Sequence, residues 1–116
     1  MSKTPVFTIN VGRAASMAFN IFIAGHKRYS MPNAWFLIHD GEIGSFDSAE
    51  KFFDRANFFG ATQRNDKKYI VGHTGIDEEL YDAKRREEWY LFPGDAKSLG
   101  IVDYIIGEDC DIDEIV

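Results

Sequence analysis

The sequence predicts an α/β domain, and three observations carry that expectation. Short runs rich in β-branched and aromatic residues alternate along the chain with segments whose apolar residues recur at helical spacing. Glycine and proline punctuate most of the boundaries between them. A hydrophobic fraction of 45% in 116 residues is enough apolar material for one packed core.

"PVFTINV", residues 5–11, alternates as a strand does, and Gly12 breaks it. Residues 14–24 are apolar on almost all sides and predict a buried helix, with Gly25 as its C-terminal cap. "KRYSM" is a short strand candidate closed by Pro32, and "AWFLIH", residues 34–39, predicts a second strand with a nearly continuous apolar run. Gly41 and Gly44 mark a mobile connection after it. "DSAE", Asp47 to Glu50, has capping-box spacing, and Ala49, Phe52, Phe53, Ala56 and Phe59 follow at helical spacing. The pattern predicts a long amphipathic helix over residues 47–68. A domain this small has little core for so long a helix, so some of its phenylalanines are expected to face a partner subunit. "TGID", Thr74 to Asp77, is another capping box and opens a helix to about Arg85. A strand "WYLF", a turn at Pro93 and Gly94, a short helix "DAKSLG" and a final strand "IVDYII" complete the domain, 1–107, before an acidic tail, 108–116.

The net charge of −6 is concentrated in that tail, where Glu108, Asp109, Asp111, Asp113 and Glu114 stand without a base; the body alone carries −1. Such a body lacks the basic field that nucleic acid requires. The bases of "AKRREEW" are flanked by acids and read as a solvated helix end. The longest apolar stretch, around residues 14–24, is much shorter than the roughly 20 residues that span a bilayer. The N-terminus has no secretory leader pattern. A single cysteine, Cys110, excludes an internal disulfide framework and fits a reducing compartment, so the expected location is the cytoplasm. Acids around Cys110 make it a poor nucleophile. "DCDID" begins like a calcium loop but lacks the loop's glycine and bidentate glutamate, and no metal or other cofactor is expected.

"GRAASMAFNIF", residues 12–22, sets Ser16 directly before the buried helix. Serine is a weak nucleophile unless a base takes its proton. His26 lies in a polar "GHKR" turn and His73 just before a helix cap, so both are expected to face water. His39 ends the apolar strand where it emerges into a loop, the place at which a rigid scaffold presents a catalytic side chain. A serine at a helix N-terminus also has the N–H of Met17 beside it, which lacks an intrahelical acceptor and can hold a developing oxyanion. The arrangement is that of a nucleophile elbow in which alanines replace the glycines. Spacing alone leaves a core serine and a nucleophile both open.

The blocks around these residues carry a resemblance. "GRAASMAFNIFIAGHKRYSMPNAWFLIHDG" resembles the stretch of the Clp protease proteolytic subunit (ClpP) family that runs from nucleophile to histidine, "HTGI" resembles its T-G turn, and "WYLFPGDAKSLGIVDYII" its closing block. The resemblance runs from about residue 6 to residue 106 and implies the ClpP/crotonase-like fold. It implies that Ser16 is the nucleophile, His39 the general base and the Met17 N–H an oxyanion donor. Counting back from "AKSLGIVD" places the family's triad aspartate on Glu88, with Glu87 the neighbouring alternative. A glutamate there is a departure, but either carboxylate can orient a histidine. The strands that precede the serine block in the family, with a glycine-rich turn that supplies the other oxyanion donor, have no counterpart in this sequence. Loss of one donor costs on the order of 3 kcal/mol, or about a hundredfold in rate.

The resemblance thus implies a serine endopeptidase subunit acting on unfolded polypeptide, in a ring-forming homo-oligomer fed by an AAA+ unfoldase that, rather than this chain, uses ATP. "FLIHDGEIGSF" departs from the bacterial housekeeping form and suggests a phage-related or divergent branch. Two rival expectations stand beside it: an inactive or truncated assembly subunit, and a signal-peptide-peptidase-like serine–lysine dyad that would not need His39.

Overall fold

The computed structural model describes residues 4–39, 48–85 and 87–115. In chain order these form β1 (Phe7–Asn10), β2 (Arg13–Ala15), α1 (Met17–Phe22), β3 (Lys27–Ser30), β4 (Trp35–Ile38), α2 (Ala49–His73), α3 (Glu78–Lys84), β5 (Trp89–Leu91), α4 (Pro93–Ser98), β6 (Tyr104–Ile105) and a 3-10 turn, Ile112–Glu114. The strands make two small sheets. One is parallel in the order β1-β3-β6; in the other, β2-β4-β5, the β2–β4 pair is parallel and the β4–β5 pair antiparallel. The architecture is mixed α/β.

The first strand is shorter than the expected residues 5–11, and the buried helix departs from its expected bounds because part of it is a strand. Ala14 and Ala15, which look helical among apolar neighbours, pair with Phe36 and Leu37 of β4 and belong to β2. The helix therefore begins only at Met17, with Ser16 as its N-cap, and ends at a C-cap on Ile23 rather than on Gly25. Gly25 serves a close approach instead: a Cβ there would collide with the side chain of Thr8, whose hydroxyl donates to Phe22 O at 2.8 Å. Where the chain passes from one sheet to the other, the buried Asn10 holds the crossing. Its amide donates to Trp35 O at 3.0 Å and accepts from Gly12 N–H at 3.2 Å, which satisfies both ends of a polar side chain in the interior.

Ser48, not Asp47, caps α2, accepting from Lys51 N–H, and the helix continues past residue 68 to His73. Asp47 and the glycine connection at Gly41 and Gly44 lie outside the described residues. Thr74 closes α2, and the cap of α3 is Asp77, whose carboxylate accepts from Leu80 N–H at 2.7 Å. Pro93 starts α4 at N1, where its missing N–H costs nothing, so the expected turn is the helix's first residues. The closing strand is only Tyr104–Ile105, because Ile101 and Val102 turn inward to the core ahead of it.

The core joins both sheets to α1 and the end of α2. Phe36, wholly buried, meets Phe19 edge-on at 6.3 Å and Phe22 at 5.1 Å between ring centres, with Ile23, Ile70 and Ile101 around them. Ile70 is the buried residue of α2. Phe52, Phe53 and Phe58, toward its other end, are exposed. The acidic end of the chain is partly tied back: Asp109 accepts from Lys97 Nζ at 2.8 Å and from Ile105 N–H at 2.7 Å. Those two bonds hold its pKa below the ordinary aspartate value, the lysine bond contributing most.

Candidate functional site

Ser16 stands between β2 and α1 with φ 53° and ψ −115°. Among the described residues it is the one non-glycine with positive φ. These dihedrals are those of the first central residue of a type II′ turn, a place glycine normally takes, and a side chain held there costs on the order of 1–3 kcal/mol. Two bonds hold it: Ser16 N–H donates to Leu37 O at 3.2 Å, and Ser16 O accepts from Asn20 N–H at 3.2 Å. The parallel pairing of β2 with β4 therefore carries Ser16 to the end of β4, level with Ile38, where His39 follows. Ser16 Oγ lies 2.5 Å from His39 Nε2. Both residues are exposed. Met17 opens α1, so its N–H has no acceptor within the helix.

Glu88 precedes β5. The β4–β5 ladder ends at the pair Ile38 and Trp89, so His39 and Glu88 are the residues next beyond it on the two segments. Glu87, one position away, donates its N–H to Lys84 O at 2.9 Å after α3, and its carboxylate lies 3.6 Å from Lys84 Nζ. The Glu88 carboxylate accepts from Tyr90 OH at 2.9 Å, and that bond, then the carboxylate's charge, raises the Tyr90 pKa. The structure thus brings Ser16 and His39 together, while the Glu88 carboxylate is bonded to Tyr90.

His26 and His73 are exposed and serve local bonds: His26 Nδ1 accepts from Val6 N–H at 2.8 Å, and His73 Nδ1 lies 2.8 Å from Tyr69 O. Cys110 is half-buried, and burial followed by the charges of Glu114, Asp109 and Asp111 pushes its thiol pKa up, away from a reactive thiolate. Among the described residues no group of three or more His, Cys, Asp or Glu side chains is placed to hold a metal. No helix among them is long and apolar enough to cross a membrane.

A cleft of about 260 Å³ opens beside the serine–histidine pair. Met17, Phe19, Ile38 and Ile70 give it an apolar floor, and Thr62, Gln63 and Asp66 give it a polar wall on α2. The wall is tied to α1 through Asn20, whose amide donates to Asp66 Oδ1 at 2.7 Å while its carbonyl accepts from Tyr69 OH at 2.8 Å. None of the three wall residues was singled out from the sequence. Each looks like solvent-facing helix, and only Asn20, polar inside an apolar helix, signals that something across from it must satisfy it.

The fold and this pair define a class: a mixed α/β protein with a serine on a strained strand-to-helix elbow against a strand-end histidine. The chain belongs to the Clp protease family, whose model matches residues 1–109, and its function is accordingly of protease type.

Proposed function

We propose that the chain is a serine endopeptidase subunit of the Clp type, with the ClpP/crotonase-like fold, and the contact between Ser16 Oγ and His39 Nε2 is the observation that carries the reading. His39, neutral, takes the Ser16 proton as Oγ bonds the scissile carbonyl carbon. The carbonyl oxygen becomes an oxyanion beside the Met17 N–H at the positive end of α1. Collapse of that intermediate breaks the C–N bond, and His39 returns the proton to the leaving amine. Water then releases the acyl group from Ser16 by the same route. Glu88 orients His39 from across the ladder once its carboxylate turns from Tyr90. The elbow supports this reading independently, because a side chain kept at positive φ persists only where the surrounding structure enforces it.

Unfolded polypeptide is the proposed substrate, delivered by an ATP-driven unfoldase to a cytoplasmic ring of such subunits. The family match and the exposed Phe52, Phe53 and Phe58 of α2 support assembly through that helix. One observation favours a second reading, an inactive assembly subunit: Glu88 is bonded to Tyr90. A fluorophosphonate probe separates the two. The peptidase reading expects covalent labelling that vanishes in Ser16→Ala and falls in His39→Ala, with Glu88→Gln intermediate. A folded, assembled chain that takes no label supports the inactive subunit. Labelling that survives His39→Ala points to a serine–lysine dyad.

A further inference from the structure

The corner between α2 and α3 holds a second hollow, of about 320 Å³, that the proposed chemistry does not use. Arg64, Lys67 and Arg85 line it beside the buried Tyr81, and no acid does. Arg64 and Lys67 stand one turn apart on one face of α2, and Arg85 follows at the C-cap of α3. Gly60, a turn earlier, leaves room for the Arg64 guanidinium, whose Nη1 lies 3.6 Å from where a Cβ on the glycine would stand. Asp82 answers two of the three cations, at 2.9 Å from Lys67 Nζ and 4.0 Å from Arg85 Nη1. Arg64 enters no ion pair among the described residues. Three cations against one carboxylate leave the hollow positive, and it suits a ligand that brings carboxylates.

The chain carries such a ligand itself. Glu108, Asp111, Asp113 and Glu114 are exposed, and none of them pairs with a base among the described residues. The 3-10 turn, in which Glu114 N–H donates to Asp111 O at 3.0 Å, presents three of these acids as a preformed group. No residue of this segment lines the hollow, and Asp109 is held on Lys97 and Ile105, so a segment seated there comes from another copy. We propose that the acidic segment 108–116 of one copy docks by its carboxylates in the Arg64, Lys67 and Arg85 hollow of the next. The contact joins two different surfaces head to tail, which is the kind that closes a ring. Several charges act together in it, because single exposed pairs contribute little. The inference rests on the homo-oligomer reading and is independent of the chemistry of Ser16.

The test uses a fluorescein-labelled peptide of residues 107–116 with Cys110→Ser. It is titrated with the full chain carrying Asp111→Asn, Asp113→Asn and Glu114→Gln, whose own segment no longer competes. Binding is expected to weaken about fivefold or more between roughly 50 and 300 mM salt, and as far in Arg64→Gln or Arg85→Gln. A peptide with its acids replaced by amides is expected not to bind. No binding of the acidic peptide at millimolar concentration overturns the inference, as does equal binding of the amide peptide or full affinity in both arginine variants. Displacement by about 1 mM inorganic phosphate at constant ionic strength marks a small-anion site and overturns the choice of the acidic segment. Sedimentation velocity reads the contact between copies. Arg64→Glu with Arg85→Glu is expected to dissociate the assembly, and adding Asp113→Lys and Glu114→Lys to the same chain to restore it. An oligomer indifferent to salt and to these charges overturns this contact alone. A parent chain that sediments as a monomer throughout overturns the homo-oligomer reading with it, and fluorophosphonate labelling judges Ser16 apart from either.

Discussion

Ser16→Ala and Ser16→Gly form a pair of variants whose difference isolates the backbone of the elbow. Both delete the hydroxyl and its bond to His39, so whatever that bond contributes cancels between them. Alanine must adopt φ 53° and ψ −115° with a Cβ, at a cost of roughly 1–3 kcal/mol, whereas glycine reaches the same dihedrals freely. Glycine loses about 0.4–1 kcal/mol through the greater freedom of its unfolded chain. The balance leaves Ser16→Gly more stable than Ser16→Ala by about 1–2 kcal/mol. At a residue with ordinary dihedrals the order is the opposite, with glycine worse by about 0.5–1 kcal/mol, so the sign itself is diagnostic. Urea denaturation with matched slopes measures the difference, and for a domain of this size it corresponds to a melting shift of roughly 5 °C. If Ser16→Ala equals or exceeds Ser16→Gly, the serine is not held at positive φ in solution and the elbow reasoning fails.

Phe36→Ala is expected to cost about 3–5 kcal/mol, since the ring is wholly buried against Phe19 and Phe22; a loss under about 1 kcal/mol in urea would show that the core is not packed this way. Gly100 and Gly107 both have positive φ, 71° and 93°, but a Cβ at Gly100 comes within 2.8 Å of Gly75 N while one at Gly107 meets open space. Gly107→Ala should therefore lose about 1–2 kcal/mol and Gly100→Ala clearly more, because the Gly75 N–H is tied to Leu99 O at 2.6 Å and has no room to give; equal urea midpoints would contradict this. The lowered pKa of Asp109 means that its ionised form stabilises the folded chain at neutral pH. That contribution is fully present above the ordinary aspartate value of about 3.9 and disappears as pH falls through the lower folded value. The stability gap between the parent chain and Asp109→Asn should accordingly be open at pH 7 and closed in strong acid, and a gap that persists at the lowest pH would refute the assignment.

Much of the element order was legible in residue patterns, and the errors share a physical origin. The strand before His39 stood out because four consecutive apolar residues between two layers leave no helical alternative of adequate length. The helix at residues 14–24 was drawn too long because Ala14 and Ala15 suit either state locally, and only hydrogen bonds to β4, more than twenty residues away, make them a strand. The caps of α2 and α3 fell one and three residues from their expected places, since several Ser, Thr and Asp residues compete at each boundary and packing chooses among them.

Ser16 and His39 could be named from the chain as candidates, and the glutamate pair at 87 and 88 as alternatives. Tertiary structure separates those glutamates by their partners, Glu87 near Lys84 and Glu88 on Tyr90. It also created the wall of Thr62, Gln63 and Asp66, three residues on an outwardly ordinary stretch of helix that come to the serine through the packing of Ile70 and the reach of Asn20. Periodicity and capping act over a few residues and are written in adjacent positions. A cleft is made by surfaces that meet from opposite parts of the chain, and its chemistry exists only once they are packed.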